Sequence, residues 1–114
     1  MAYDEYLADR LRQKINQLRI SAQEKKMMGG LCFLVEDKMC FGIVKNDLMA
    51  RIGPDDYEKA LQKPGIRPMD FTKKPLKGYV FVSPLAIDQE EDLEYWIQKC
   101  LEFNPKAKSS KKKQ

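Results

Sequence analysis

The sequence predicts one small α+β domain, and three observations carry that prediction. Apolar runs at residues 31–35, 39–44 and 48–52 are joined by only three polar residues each. Connections that short force neighbouring antiparallel strands, because a parallel return needs a crossover of about a dozen residues. Apolar side chains at helical spacing flank this meander, in residues 3–18 and again in 88–103. Finally, 114 residues is the length of one domain, enough to hide about two-thirds of the unfolded chain's surface without a metal or disulfide staple.

Taken in order, Tyr3, Leu7, Leu11, Ile15 and Leu18 draw one stripe on a first helix, with Asp9, Arg12 and Lys14 on the opposite face. Lys25-Lys26 then leads into the punctuation Gly29-Gly30 and the three-stranded meander. Gly42, in the middle strand, reads as a bulge or a close packing contact. Gly53-Pro54-Asp55-Asp56 opens a second helix, since proline is pre-organised for the first turn and carboxylates there favour the positive end of the helix dipole. Tyr57, Ala60 and Leu61 form its inner face, and Pro64-Gly65 ends it.

Residues 67–71 read as a short strand and 77–82 as a clear one, with Tyr79 and Phe81 on one side and Val80 and Val82 on the other. The last helix is expected from Asp88, with Asp88 and Glu91 spaced as a capping box. Leu93, Trp96, Ile97, Cys100 and Leu101 are its stripe, and it ends before Asn104-Pro105. The predicted order is helix, three strands, helix, two strands, helix. The folded domain spans residues 1–103, and the lysine-rich tail 104–114 has nothing to bury and is expected to be disordered.

The composition, 43% hydrophobic and 33% charged, is that of an ordinary globular protein. The net charge of +4 belongs to the tail: residues 1–103 hold 16 Lys+Arg against 17 Asp+Glu, while residues 104–114 hold five lysines and no acid. No apolar stretch approaches the roughly 18 residues of a membrane span, and the acidic start, Met1-Ala2-Tyr3-Asp4-Glu5, is unlike a signal peptide. Cytoplasmic residence is the expectation, with Cys32, Cys40 and Cys100 as buried thiols. Leu31-Cys32-Phe33-Leu34-Val35 and Tyr79-Val80-Phe81-Val82 are apolar at consecutive positions, so both sheet faces need cover. Three helices leave a strip uncovered on this reading, and a homodimer is expected to bury it.

The chain holds no histidine, which removes the commonest general base and metal ligand. No two cysteines have metal-knuckle or redox spacing, and the acidic pairs sit at helix starts, where capping accounts for them. Gly29-Gly30 precedes a strand rather than a helix, unlike a phosphate-binding loop. No catalytic residue, cofactor or metal follows. Met27, Met28, Met39, Met49 and Met69 interleave with strand residues as core filler. The candidate binding residues are charged groups beside apolar strands: Asp47, Arg51, Asp70 and Lys77 for a polar site, and Arg67, Lys73, Lys74 and Lys77 around Phe71 and Tyr79 for a nucleic-acid backbone.

Four segments carry a family resemblance: Lys26-Met27-Met28-Gly29-Gly30-Leu31-Cys32-Phe33, Asp47-Leu48-Met49-Ala50-Arg51-Ile52-Gly53-Pro54, Arg67-Pro68-Met69-Asp70-Phe71-Thr72 and Pro75-Leu76-Lys77-Gly78-Tyr79-Val80-Phe81-Val82. In that order and spacing they resemble the N-terminal domain of the TfoX/Sxy family across residues 2 to 103. The resemblance implies the same topology, related in shape to bacterial secretion chaperones. It also implies kinship with regulators of DNA-uptake competence that work with the cyclic-AMP receptor protein, and no catalytic residues. The second, helical C-terminal domain of those regulators is expected to be missing here. The expected function is a non-enzymatic regulatory domain that binds a protein partner, in the manner of a transcription co-regulator. The alternative is a small nucleic-acid-binding protein using residues 67–79 and the lysine tail.

Overall fold

The computed structural model describes residues 3–27, 29–69 and 78–106. Helix α1, Glu5–Gln17, is capped by Asp4, whose side chain accepts from the Tyr6 amide. The meander follows as β2 (Gly30–Val35), β3 (Lys38–Val44) and β4 (Asp47–Arg51), preceded by a strand β1 (Ala22–Met27). Val35 pairs with Lys38 across Glu36-Asp37, whose φ values of 55° and 66° are the left-handed pair that a two-residue hairpin requires. Helix α2 is Pro54–Leu61, β5 is Ile66–Pro68 and β6 is Tyr79–Val82. A 3₁₀ turn at Pro84–Ile87 precedes helix α3, Glu90–Phe103, which runs on into a second 3₁₀ turn at Asn104–Lys106.

All six strands join one antiparallel sheet in the order β1-β2-β3-β4-β6-β5. The α+β class stands, with one strand more than predicted. The extra strand, β1, has no apolar alternation: Gln23, Glu24, Lys25 and Lys26 are exposed, and main-chain pairing to β2 holds it in place. Lysines along such an edge deter pairing with another chain, but they also hide the strand from a reading based on hydrophobic period.

One sheet face carries the main core. Leu31, Phe33, Phe41, Ile43, Leu48, Val80 and Val82 pack against Leu7 and Leu11 of α1 and Leu93, Ile97 and Cys100 of α3. Phe33 and Phe41 stack with ring centroids 5.3 Å apart. Register slips beside them: Phe33 faces Phe41 and Leu34 faces Met39, so Cys40 is the inserted residue of a bulge. The bulge turns Met39 to one face and both Cys40 and Phe41 to the other. Gly42 lies next to it, where a Cβ would meet the Leu31 carbonyl oxygen at 2.6 Å.

The second face holds a smaller cluster of Cys32, Leu34, Met39, Met49, Met69 and Phe81, all buried. Residues 31–34 and 80–82 are thus buried within one chain, and the uncovered strip from which a dimer is expected does not arise among them.

Four further expectations are corrected. Lys14 is not on a solvated face: it is buried, with Nζ 3.2 Å from Glu94 and 3.5 Å from Glu90. The capping box at Asp88 does not form, because α3 starts two residues later and Gln89 is its cap, its carbonyl accepting from the Asp92 and Leu93 amides at 3.1 Å. Asn104 belongs to the fold and not to a tail. It is buried, its Nδ2 donates to the Val35 carbonyl at 3.2 Å, and its own carbonyl accepts from Lys38 at 3.2 Å. The strand expected over 67–71 is Ile66–Pro68, and the start of its partner at Lys77 lies outside the described residues.

Candidate functional site

Three of the residues singled out by sequence, Asp47, Arg51 and Arg67, project from the second sheet face, but they do not converge. Asp47 and Arg51 occupy opposite ends of β4, about 13 Å apart at strand rise. Arg67 reaches over the Phe81 ring, 5.2 Å from its centroid, to form a close ion pair with Asp47. Arg51 lies 5.2 Å from the Tyr79 ring centroid and 5.8 Å from that of Phe103, and its Nη1 donates to the Met39 carbonyl at 3.3 Å. These are two separate clamps, each laying a guanidinium on aromatic faces at the rim of the methionine cluster. Asp70, Phe71, Lys73, Lys74 and Lys77, the other predicted binding residues, lie outside the described residues.

The Arg51 clamp borders a cavity of about 320 Å³. Its wall requires Gly53, which has φ +90° and an absent Cβ that would stand 2.4 Å from the Phe103 ring. Gly53 and Ile52 both donate amides to the Gly78 carbonyl, at 3.1 and 2.9 Å, so two loops meet where neither has a side chain. Burial pushes the Tyr79 hydroxyl pKa up, with the Arg51 charge opposing.

Sequence reasoning missed the larger concavity, where α2, the Pro84–Ile87 turn and α3 meet. Ser83 donates its amide to the Gly65 carbonyl at 2.9 Å, which ties the turn after β6 to the start of β5. Gly65, at φ +80°, is required there because a Cβ would stand 2.6 Å from Ser83 Oγ. Pro84 opens the 3₁₀ turn, which buries Ile87 and leaves Leu85 89% exposed. On α3, Trp96 is buried, while Tyr95, one residue off the stripe, is 41% exposed and meets Trp96 edge-on at 5.1 Å.

Two hollows share the wall formed by Lys63, Tyr95 and Trp96. The first, about 460 Å³, has an apolar floor of Ile66, Leu85, Ala86 and Trp96. The second, about 400 Å³, is edged by Asp56, Lys59 and Lys99. Lys63 Nζ and Lys99 Nζ stand 5.2 and 5.8 Å from the Tyr95 ring centroid, and Lys99 also meets Asp56 at 3.5 Å. The signals for this groove were the off-stripe tyrosine and the apolar run 84–87, which a proline opens.

The described thiols are buried and poorly suited to nucleophilic chemistry. Burial pushes the Cys32 pKa up to about 11. Cys100 is driven above the ordinary thiol range by burial and by adjacent Cys40. Among the described residues no three His, Cys, Asp or Glu side chains are grouped to hold a metal, and no helix is long and apolar enough to cross a membrane.

The architecture is that of a small α+β domain with one six-stranded antiparallel sheet, helices on one face and paired arginine clamps on the other. The family model of the TfoX N-terminal domain matches residues 19–104, and the chain belongs to that family. The match begins after α1 and takes in the whole sheet, α2 and α3. No curated protein and no solved structure is similar to the chain at a significant level.

Proposed function

We propose that this chain is a non-catalytic protein-interaction domain acting in a regulatory setting. The observation that carries the reading is the groove beside α3, where Leu85 stands 89% exposed next to a half-open tyrosine and a buried tryptophan. An apolar side chain held out beside a concave aromatic wall is the usual make-up of a contact surface, since tyrosine and tryptophan supply much of the energy of protein interfaces. The second sheet face supports the same reading from the other side, because Asp47 and Arg67 are engaged with each other and burial raises the pKa of Cys32.

Family membership supports the regulatory setting, including a part in transcription and DNA-uptake competence. Arg67, the described member of the basic segment, is committed to Asp47 and Phe81, which weighs against the nucleic-acid alternative.

The test is affinity capture from native lysate, with and without nuclease treatment, using the full chain and the double variant Leu85→Glu/Tyr95→Ala, read by mass spectrometry. A discrete protein retained by the native chain and lost from the variant is the expected result. Retention of nucleic-acid-associated proteins alone, abolished by nuclease, would overturn the reading.

A further inference from the structure

We infer that the groove takes an acidic, amphipathic peptide segment of a partner protein, with a bulky apolar side chain seated on Trp96 beside Leu85 and carboxylates meeting Lys59, Lys63 and Lys99. The inference rests on the interaction-domain reading and narrows it to one chemistry of partner.

The two hollows differ in a way that a segment of alternating character would satisfy. The floor of the first is apolar and continuous with the exposed Leu85. The second gathers three ammonium groups around a single carboxylate: Asp56 meets Lys99 at 3.5 Å, whereas Lys59 and Lys63 have no carboxylate partner among the described residues. The remaining acid of the groove, Asp92, lies in the first turn of α3, where the positive end of the helix already favours it. An excess of positive charge therefore stands at one end of an apolar trough. Lys63 and Lys99 are also held against the Tyr95 ring, so two donors are pre-positioned and an incoming carboxylate orders fewer free side chains.

The size and shape favour a segment over a small molecule or a flat surface. Each hollow is within the range of about 300–1,000 Å³ typical of ligand sites, and because the pair shares Lys63, Tyr95 and Trp96 one segment crossing these residues would reach both. A nucleic acid fits poorly, because its phosphate backbone would gain nothing from the apolar floor or from Leu85. A second copy of this chain fits poorly as well. A two-fold contact places the same patch on both sides, so the excess positive charge of Lys59, Lys63 and Lys99 would enter the interface twice, which disfavours association.

The test is selection of short random peptides displayed against the immobilised full chain at low salt, with counter-selection on the double variant Lys63→Glu/Tyr95→Ala. Leu85→Glu serves as a second, fully exposed variant, and thermal melts check that both fold. The expected result is enrichment of peptides with net negative charge and at least one bulky apolar residue. They should bind the native chain about 10-fold more tightly than either variant, lose affinity on Glu→Gln replacement within the peptide, and weaken with added salt. Neutral or basic peptides that still depend on the groove would overturn the acidic-partner inference and leave the interaction reading standing. Absence of any groove-dependent peptide would overturn both. A dimer seen by sedimentation and abolished by Leu85→Glu would assign the groove to a second copy and overturn the inference.

Discussion

Lys14, on α1, carries its ammonium group through the protein's edge to within 3.2 Å of Glu94 on α3, with Glu90 at 3.5 Å. The stem of Lys14 is buried and its charge is delivered to a half-exposed acidic pair, so this one side chain both packs and bridges two helices. Arg10 repeats the bridge one turn earlier, with Nε 3.1 Å from Glu90 and Nη2 donating to the Ile87 carbonyl at 2.8 Å.

Lys14→Ala removes both the stem and the charge, and the expected cost is about 1–3 kcal/mol in urea denaturation. Lys14→Met keeps the stem and should recover more than half of that loss, since Glu90 and Glu94 are 63% and 43% exposed and stay solvated without their partner. Equal losses for the two variants would place the stabilisation in the ion pair and not in the packing.

Arg12 fastens the polar strand β1 to α1. Its Nε and Nη2 meet the two Glu24 oxygens at 2.7 and 2.9 Å, and Asp9 accepts from Nη1 at 3.0 Å. The Arg12 hydrogen bond lowers the Glu24 pKa below its ordinary value. A carboxylate with a folded pKa below its unfolded one contributes stability above the unfolded value, near about 4.3, and loses it as pH falls through the folded value. Glu24→Gln should therefore cost at most about 1 kcal/mol at neutral pH, because the pair is partly exposed. The difference between native and variant should shrink to nothing in acid, as read by denaturation at a series of pH values, and a difference that persists at low pH would contradict this.

Cys32, Cys40 and Cys100 should resist a thiol-specific chromogenic reagent under native conditions near pH 8 and react together on unfolding. For Cys32, whose pKa is pushed up to about 11, the sign is opposite to that of Glu24: its contribution is complete below the unfolded thiol value of about 8.5 and is lost as pH rises toward the folded value. A thiol that reacts at the rate of a free one in the folded protein would contradict its burial.

Gly53→Ala meets both a positive φ of +90° and a Cβ position 2.4 Å from the Phe103 ring. The combined strain and overlap should cost roughly 2–4 kcal/mol. Adding Phe103→Leu should return part of that, because it relieves the overlap but not the backbone. No recovery in the double variant would assign the cost to φ alone.

Much of the fold was legible because local rules and long-range packing agree. Three-residue spacers imposed the β2-β3-β4 meander, Pro54 opened α2, and Leu93, Trp96, Ile97 and Cys100 traced the buried stripe of α3. β1 was invisible because Gln23 to Lys26 bury nothing and owe their strand to main-chain pairing across the edge. Lys14 misled for a related reason: its position on the helix looks solvated, and its partners Glu90 and Glu94 come from the distant helix α3, 76 and 80 residues away. Of the candidate site residues, Asp47, Arg51 and Arg67 do share a face. Asp47 and Arg51 stand apart because they occupy opposite ends of β4. The partners each arginine finds, Phe81 for Arg67 and Tyr79 and Phe103 for Arg51, come from distant segments that spacing in sequence does not bring together.

The most direct test of the groove as the binding surface is site-specific photo-crosslinking in native lysate with Leu85→p-benzoylphenylalanine, and with Tyr6→p-benzoylphenylalanine as a control on exposed α1. Leu85 and Tyr6 are both apolar and well exposed, at 89% and 73%, but only Leu85 borders the groove. The expected result is a discrete protein adduct from position 85 that is abolished by Lys63→Glu/Tyr95→Ala and absent from position 6. Adducts of equal yield from both positions, or an adduct from 85 unchanged by the groove variant, would contradict the account.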